Sequence, residues 1–492
     1  MKRINIYEEA SRCLLCQDAP CTKACQHGDP ARAIRAIRFD NHKLANRWVA
    51  DCSDADLECA EQACIHYNWP IRIKEMLRSV SPDDVTGDYP SLDVEFCGLH
   101  CENPFFLASS AVCTNYEMVA HAFEAGWAGV YYKTICLQEI KEVSPRFDAL
   151  HNNGIHGDFY GFRNMEQLSE NPVEMDFDIL RRLKQNYPTK IVIASIMGQT
   201  EEQWIELAKM AEAASVDAVE LNFSCPQMRL AGMGSDVGQD SELVLYYTTY
   251  VKHNVSIPVI PKMTPNITDI NRPAMSAYFA NADAISAINT IKSVTMDENS
   301  SVSGHKTISG LSGRAVKPVA LRFILEMARN SVLRGDYGKR IELSGIGGIE
   351  TWRDALEFIQ IGCNNVQVCT AVMQYGYRII DDLILGLQRY MAKRGVTHVS
   401  DLVGEMLPSF VKPSDLDRQS IVYPKIDREK CVGCGRCEIS CSDGGHQAIV
   451  FNTDTRQPRI VGTKCVGCHL CRLVCPTGAI TLTHRIPKKD VS

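Results

Sequence analysis

From about residue 89 to 418 the sequence alternates eight times between a short apolar run and a stretch of helical periodicity. The runs are FFLASS, GVYYKT, KIVIASIM, AVELNFSC, VIPKMT, AISAINT, RIELSGIG and NNVQVCT. Most are rich in Val and Ile and apolar at consecutive positions, as strands buried on both faces are. The stretches between them, such as EEQWIELAKMAEAA (201–214) and TWRDALEFIQIG (351–362), carry apolar residues at helical spacing. Eight strand–helix units in roughly 300 residues predict an α/β fold, a (β/α)8 barrel. A doubly wound sheet is the alternative. No G-x-G-x-x-G follows the first run, so nothing supports a dinucleotide fold.

Barrel enzymes build their sites at the C-terminal ends of the strands. Those ends carry Ala108 and Ser109, Lys133 and Thr134, Asn222, Ser224 and Cys225, Lys262 and Thr264, Asn289 and Thr290, Gly347 and Gly348, and Cys369 and Thr370. The last two strands end in GIGG and CTAV, where small residues let backbone N–H groups approach a phosphate beside a helix N-terminus. A lysine near a flavin's pyrimidine edge stabilises the anionic reduced ring. Either lysine alone reads as a solvated charge at the barrel mouth. A phosphate site, two lysines and several amides together favour FMN. Cys225 is the sharpest single question. It closes an alternating apolar run, precedes Pro226 and has no C-x2-C partner. It is an inert core thiol, a cluster ligand or an acid.

The other cysteines, of 22 in all, come mostly in groups. No stretch approaches the ~18 apolar residues of a membrane span, and MKRINIYEEASRC lacks the apolar core of a signal peptide. A cytoplasmic location is expected, where thiols stay reduced and dense cysteine patterns bind metal. The net charge of −7 is mild, with no basic stripe for nucleic acid.

Two copies of C-x2-C-x2-C-x3-C stand near the C-terminus: Cys431, Cys434, Cys437, Cys441, and Cys465, Cys468, Cys471, Cys475. This is two-cluster ferredoxin spacing, in which the fourth cysteine of each run serves the other cluster. One 4Fe-4S cubane is therefore expected on Cys431, Cys434, Cys437 and Cys475, the other on Cys465, Cys468, Cys471 and Cys441. Zinc is the alternative, but its sites take paired C-x2-C units. The first 70 residues hold seven more cysteines, Cys13, Cys16, Cys21, Cys25, Cys52, Cys59 and Cys64. Their spacing indicates a metal framework without revealing connectivity. Seven thiolates are one short of two all-cysteine cubanes, which leaves either a different eighth ligand or one cluster with spare thiols.

VELNFSCP, PKMTPNITDI, INTI, SGLSGRAVKP, SGIGGI and VQVCTAVMQ resemble the FMN barrel of the dihydropyrimidine dehydrogenases, with class 1 dihydroorotate dehydrogenases the next nearest relatives. The tail from YPKIDREKCVGCGRC onward resembles the ferredoxin domain that follows that barrel. EASRCLLCQDAPCTKAC resembles the iron–sulfur domain that opens these enzymes and the small subunit of glutamate synthase. The resemblance implies three domains: 1–88 helical and iron–sulfur, 89–418 an FMN barrel, and 419–492 a two-cluster ferredoxin.

The resemblance also implies roles. Cys225 matches the general acid toward the pyrimidine C5. Asn164 and Glu166 in FRNMEQLSE, with Asn222, Ser224, Asn289 and Thr290, match substrate-binding positions. Lys133 and Lys262 match the flavin lysines, and Gly313 lies in a flavin-side motif. The Asn-x-Glu element favours uracil or thymine over orotate, which would want an added cation. Two departures stand out. About ten residues, SVSPDDVTGD, replace the FAD- and NADPH-binding domains of the large single-chain form. Electrons are therefore expected from a separate FAD- and NAD(P)H-binding subunit or a soluble ferredoxin, and an oligomer is expected. Secondly, the family's eighth N-terminal ligand is a Gln or Glu after P-I-x-I, where PIRIKEML places Leu77 with Glu75 nearby. A relay subunit with a non-catalytic flavin is the reading from another class.

Overall fold

The computed structural model describes residues 4–66, 68–85, 88–151, 159–226, 228, 232–296 and 304–488. The chain forms two compact units, one up to Leu407 and one from Pro408 on. In the first, eight strands close into a parallel barrel, β1 (Phe105–Leu107), β2 (Gly129–Ile135), β3 (Ile191–Ile196), β4 (Ala218–Asn222), β5 (Val259–Met263), β6 (Ala284–Ala287), β7 (Glu342–Ile346) and β8 (Asn365–Val368). Closure through β8 against β1 and β5 against β6 excludes the open doubly wound sheet. The runs are apolar at consecutive positions because both faces are covered, and β2, β3, β4 and β5 are buried throughout. Among the described residues no helix is long and apolar enough to cross a membrane.

Register decides which polar residues meet inside this apolar cylinder. Ser195 of β3 stands opposite Glu220 of β4. Asn222 stands opposite Lys262 of β5, and Lys262 opposite Ser286 of β6. The polar residues of successive strands therefore fall side by side near the strand ends.

The loops after β2 and β6 are long enough to carry strands of their own. Phe147–His151 and Phe159–Asn164 pair with each other, and Ile291–Ser293 and Ser309–Ser312 extend them into a four-stranded antiparallel sheet. Arg163 fastens it. Its side chain is 1% exposed, and it donates to Ser309 Oγ at 2.8 Å, Thr307 O at 3.0 Å and Asp148 Oδ2 at 3.2 Å.

Among the described residues six short α-helices precede the barrel. Among them α1 (Pro30–Arg38) starts at a proline capped by Asp29, whose carboxylate accepts from Arg32 N. Its apolar Ala33, Ile34, Ala36 and Ile37 bury against Leu57 and Ala60 of α2 (Asp54–Gln62) and against Ile73, Met76 and Leu77. The opposite face meets α3 (Ile380–Arg394), which packs on the barrel. There Arg35 Nε donates to Asp382 Oδ2 at 2.7 Å, and Asn41 Nδ2 donates to Asp382 O at 2.7 Å. Burial pushes the Asp382 carboxyl up to about 6 even with the Arg35 guanidinium beside it.

In the second unit, helix Arg436–Gly444 carries Cys437 and Cys441 of the first cysteine run, and helix Leu470–Leu473 carries Cys471 of the second. Corresponding residues of the two runs share left-handed backbone: Gly433 and Gly467, then Gly435 and His469. Among the described residues three short antiparallel ladders, Ser420–Ile421 with Ile486–Pro487, Pro424–Ile426 with Ile480–Leu482 and Ile449–Asn452 with Gln457–Ile460, complete it.

The Arg35–Asp382 pair is a buried clamp between the N-terminal helices and the barrel. Arg35→Ala leaves a buried carboxylate unpaired, a loss of about 3–5 kcal/mol. Amide exchange of 30–62 should rise strongly while barrel strands stay protected. Unchanged exchange there would show that the apolar contacts alone hold the helices.

Candidate functional site

A cavity opens at the C-terminal end of the barrel, under the four-stranded sheet. Its wall includes Ala108, Ser109, Lys133, Thr134, Asn164, Glu166, Asn222, Cys225, Lys262, Asn289, Thr290, Gly313, Gly347, Gly348, Cys369 and Thr370. Two strand-end residues stand elsewhere. Thr264 is buried, and its hydroxyl accepts from Asn266 N at 3.2 Å and Nδ2 at 3.1 Å, which fixes the loop after β5. Ser224 is fully buried behind the wall, where its hydroxyl donates to Asn222 Oδ1 at 2.8 Å and accepts from Asn289 Nδ2 at 3.0 Å.

These contacts form part of one directed chain anchored on Glu220. That carboxylate is fully buried and can only accept. Ser195 Oγ donates to it at 2.9 Å and Ser286 Oγ at 2.8 Å, with Lys262 Nζ 3.5 Å away. Since Ser195 spends its proton on Glu220, it must accept from Thr134 Oγ1, 2.9 Å distant. Thr134 in turn accepts from Ser109 Oγ and from Asn222 Nδ2, both at 2.9 Å. The amide of Asn222 is thereby oriented, and through Ser224 so is the amide of Asn289. Glu220 was legible in the sequence as a lone acid in an apolar run, since a buried charge must be paired.

A second charged group sits on the wall. Glu166 Oε2 lies 2.8 Å from Lys133 Nζ, and Glu166 Oε1 lies 3.1 Å from Arg146. Asn164 Oδ1 accepts from Glu166 N at 2.7 Å, so the Asn-x-Glu element braces itself. Lys133 and Lys262 are the cations among the described wall residues, and each faces a carboxylate.

The opposite end of the cavity is lined by glycine. Gly313, Gly347 and Gly348 all have positive φ, at +82°, +129° and +75°. A Cβ on Gly348 would lie 2.8 Å from both Gly313 O and Lys317 Cβ, and one on Gly347 2.8 Å from Ala320 Cβ. The bare backbone packs onto the start of helix Lys317–Arg329, an arrangement that presents N–H groups to an anion. Gln367 adds a polar signal. Its Nε2 donates to Ser344 Oγ at 2.9 Å, while its buried Oε1 on the same wall has no partner among the described residues. A glycine cradle for a phosphate, lysines, and an acceptor awaiting a donor fit a flavin mononucleotide. Phe147, Phe162, Leu311 and Ser312 roof the cavity from the antiparallel sheet; Leu311 and Ser312 lie in the SGLSGRAVKP motif, while nothing local in the sequence marked Phe147 and Phe162.

In the second unit, Cys431, Cys434, Cys437 and Cys475 line one cavity. Cys441, Cys465, Cys468 and Cys471 line another. A lone ion needs its donors within ~2.3 Å of one point. Among the described residues no three Cys, His, Asp or Glu side chains are arranged to hold one. In the first unit Cys13, Cys16, Cys21 and Cys64 stand together: burial first, then each other's charge, pushes Cys13 up and Cys21 up to about 11. The sulfurs of Cys25 and Cys52 lie 3.3 Å from each other. Cys59 is exposed on α2.

A barrel with a flavin cradle on a chain that also carries cysteine-lined cavities defines an iron–sulfur flavoprotein oxidoreductase. Residues 91–391 match the dihydroorotate dehydrogenase family, and residues 424–482 match the 4Fe-4S dicluster domain. The chain belongs to the dihydroorotate dehydrogenase family. It is 50% identical over 397 residues to the NAD-dependent dihydropyrimidine dehydrogenase subunit PreA of Escherichia coli strain K12, covering 80% of this chain and 95% of that protein. It is 38% identical over 340 residues to the chloroplastic dihydropyrimidine dehydrogenase (NADP(+)) of Arabidopsis thaliana, covering 66% and 79%. The catalytic subunit of dihydroorotate dehydrogenase B (NAD(+)) from Pyrococcus abyssi is 35% identical over 317 residues, covering 64% and 98%.

Gly348→Ala tests the cradle. The left-handed φ costs about 1–2 kcal/mol for any Cβ, before the close contacts are counted. Flavin per chain, measured after acid release, should fall at least several-fold while iron content holds. Full flavin content would contradict the assignment.

Proposed function

We propose that this chain is the catalytic subunit of a dihydropyrimidine dehydrogenase that reduces uracil or thymine to the 5,6-dihydro form. The observation that carries the reading is the position of Cys225. It is 6% exposed and ends the β4 segment on the cavity wall, beside amides oriented by the Glu220 chain. When bound, FMN supplies the hydride chemistry at the pyrimidine C6. Cys225 Sγ–H then gives its proton to C5, and takes it back in the oxidative direction. A cysteine can serve as general acid in the thiol form and as general base in the thiolate form. Asn164, Asn222, Asn289 and Thr290 would pair the ring's carbonyl and N–H groups. A site built for those bonds rejects rings that leave them unmade. Lys133 and Lys262 would face the flavin.

Charge supports a neutral ring over orotate. Glu166 and Glu220 already face the two lysines, so a substrate carboxylate would enter beside Glu166 without a surplus cation. We further infer three functional modules, 1–88, 89–418 and 419–492, with cubanes on the two C-terminal cysteine sets and one or two on the N-terminal set. With no dinucleotide fingerprint after the first strand, reducing equivalents would come from an FAD- and NAD(P)H-binding subunit or a ferredoxin. The E. coli relative is itself named a subunit.

Two measurements test this reading. The isolated chain should reduce uracil with an artificial low-potential donor yet oxidise NADH negligibly. Robust NADH-linked reduction by the chain alone would contradict the partner. Cys225→Ala should keep flavin and iron and lose roughly 10²–10⁴ of pyrimidine reduction, the span for a positioned general acid. Cys225→Ser should retain part of it. Loss of iron in Cys225→Ala would make it a ligand, and full activity would place the acid elsewhere.

A further inference from the structure

The N-terminal cysteines divide four and three. Cys13, Cys16, Cys21 and Cys64 form a complete set for one cubane. Cys25, Cys52 and Cys59 are one donor short of a second.

The residues around the three define what could complete the set. Leu77 is apolar and 2% exposed. Glu75 is exposed and paired with Arg72 at 3.1 Å. Asp56, one turn before Cys59 on α2, is committed: its Oδ2 accepts from Ser53 N at 2.8 Å and Ser53 Oγ at 2.7 Å, closing the capping box on the N-cap Ser53. The same oxygen lies 3.1 Å from His27 Nδ1. Since a carboxylate only accepts, His27 Nδ1 is the donor and Nε2 carries the lone pair.

His27 is also in place along the chain. It follows Cys25 by two residues and precedes Gly28. A Cβ on Gly28 would lie 2.5 Å from Cys52 Sγ and 2.5 Å from Trp48 O, so this backbone is pressed against the second thiol. Cys25, Cys52 and the 27–28 backbone therefore converge, and His27 joins them to Asp56, one turn before Cys59 on α2. Imidazole ligands to metals typically give their other N–H to a carboxylate, which fixes tautomer and orientation. The His27–Asp56 pair has that form.

We propose that His27 Nε2 is the fourth ligand of a second N-terminal cluster, with Cys25, Cys52 and Cys59. This rests on the reading that the N-terminal cysteines hold clusters. A neutral imidazole in place of a thiolate leaves the cluster one charge less negative, and histidine ligation raises cluster potentials. This cluster would be the most readily reduced of the N-terminal pair.

The test uses the full chain, purified anaerobically and labelled with 15N-histidine. Four cubanes predict about 16 iron per chain, against about 12 with a single N-terminal cluster. Pulsed EPR of the reduced protein should show one strongly coupled histidine nitrogen. His27→Ala should abolish that coupling and lose iron or leave a three-iron cluster. His27→Cys should restore four irons, without the coupling and at a lower potential. The proposal is overturned by about 12 iron with Cys25 and Cys52 free, by a three-iron cluster in the unmodified chain, or by nitrogen coupling that survives His27→Ala. Uracil reduction with an artificial donor, read at the flavin, reports separately on the catalytic reading.

Discussion

Glu220 is the constraint on which the catalytic end of the barrel depends. A fully buried carboxylate is tolerable only when its acceptor sites are filled, and Ser195, Ser286 and Lys262 do so. Because the carboxylate cannot donate, every hydroxyl in contact with it must point inward. That polarity passes through Thr134 to Asn222 and, by Ser224, to Asn289. The amides of Asn222 and Asn289 on the cavity wall thus have their donor and acceptor ends set by the fold. Parallel register makes this possible, because it aligns Ser195 with Glu220, and Asn222 and Ser286 with Lys262.

Much of this was legible before any coordinates. Alternating apolar runs and helical stretches mark a parallel barrel because each strand is covered twice, and all eight runs contain a barrel strand. The strand-end rule then delivers most of the cavity wall, from Ala108 to Thr370. It could not separate wall from backing. Ser224 and Thr264 occupy strand ends yet spend their hydroxyls on neighbouring amides. The antiparallel roof escaped notice for a different reason. Its pairs, such as Asn164 with Gly310, join loops far apart in sequence, and no local periodicity records them.

The cysteines show the same division. Crossed grouping at the C-terminus follows from a repeated spacing, and the fold sets Cys475 beside the first run and Cys441 beside the second. The N-terminal set has no repeat to read. Its grouping emerges when short helices bring Cys64 to Cys13 and Cys52 to Cys25. The chain thus combines a flavin barrel of the dihydroorotate dehydrogenase family, a dicluster unit, and an N-terminal helical segment clamped to the barrel by Arg35 and Asp382.

The central claim is that the cavity reduces a neutral pyrimidine ring. A single turnover tests it without any electron partner. The chain is photoreduced under anaerobic conditions, mixed with uracil, thymine or orotate, and followed by flavin absorbance in a stopped-flow instrument. Uracil or thymine should restore the oxidised flavin spectrum in one fast phase and yield the 5,6-dihydro product, while orotate leaves the flavin reduced. Reoxidation by orotate alone, or by none of the three rings, would contradict the account.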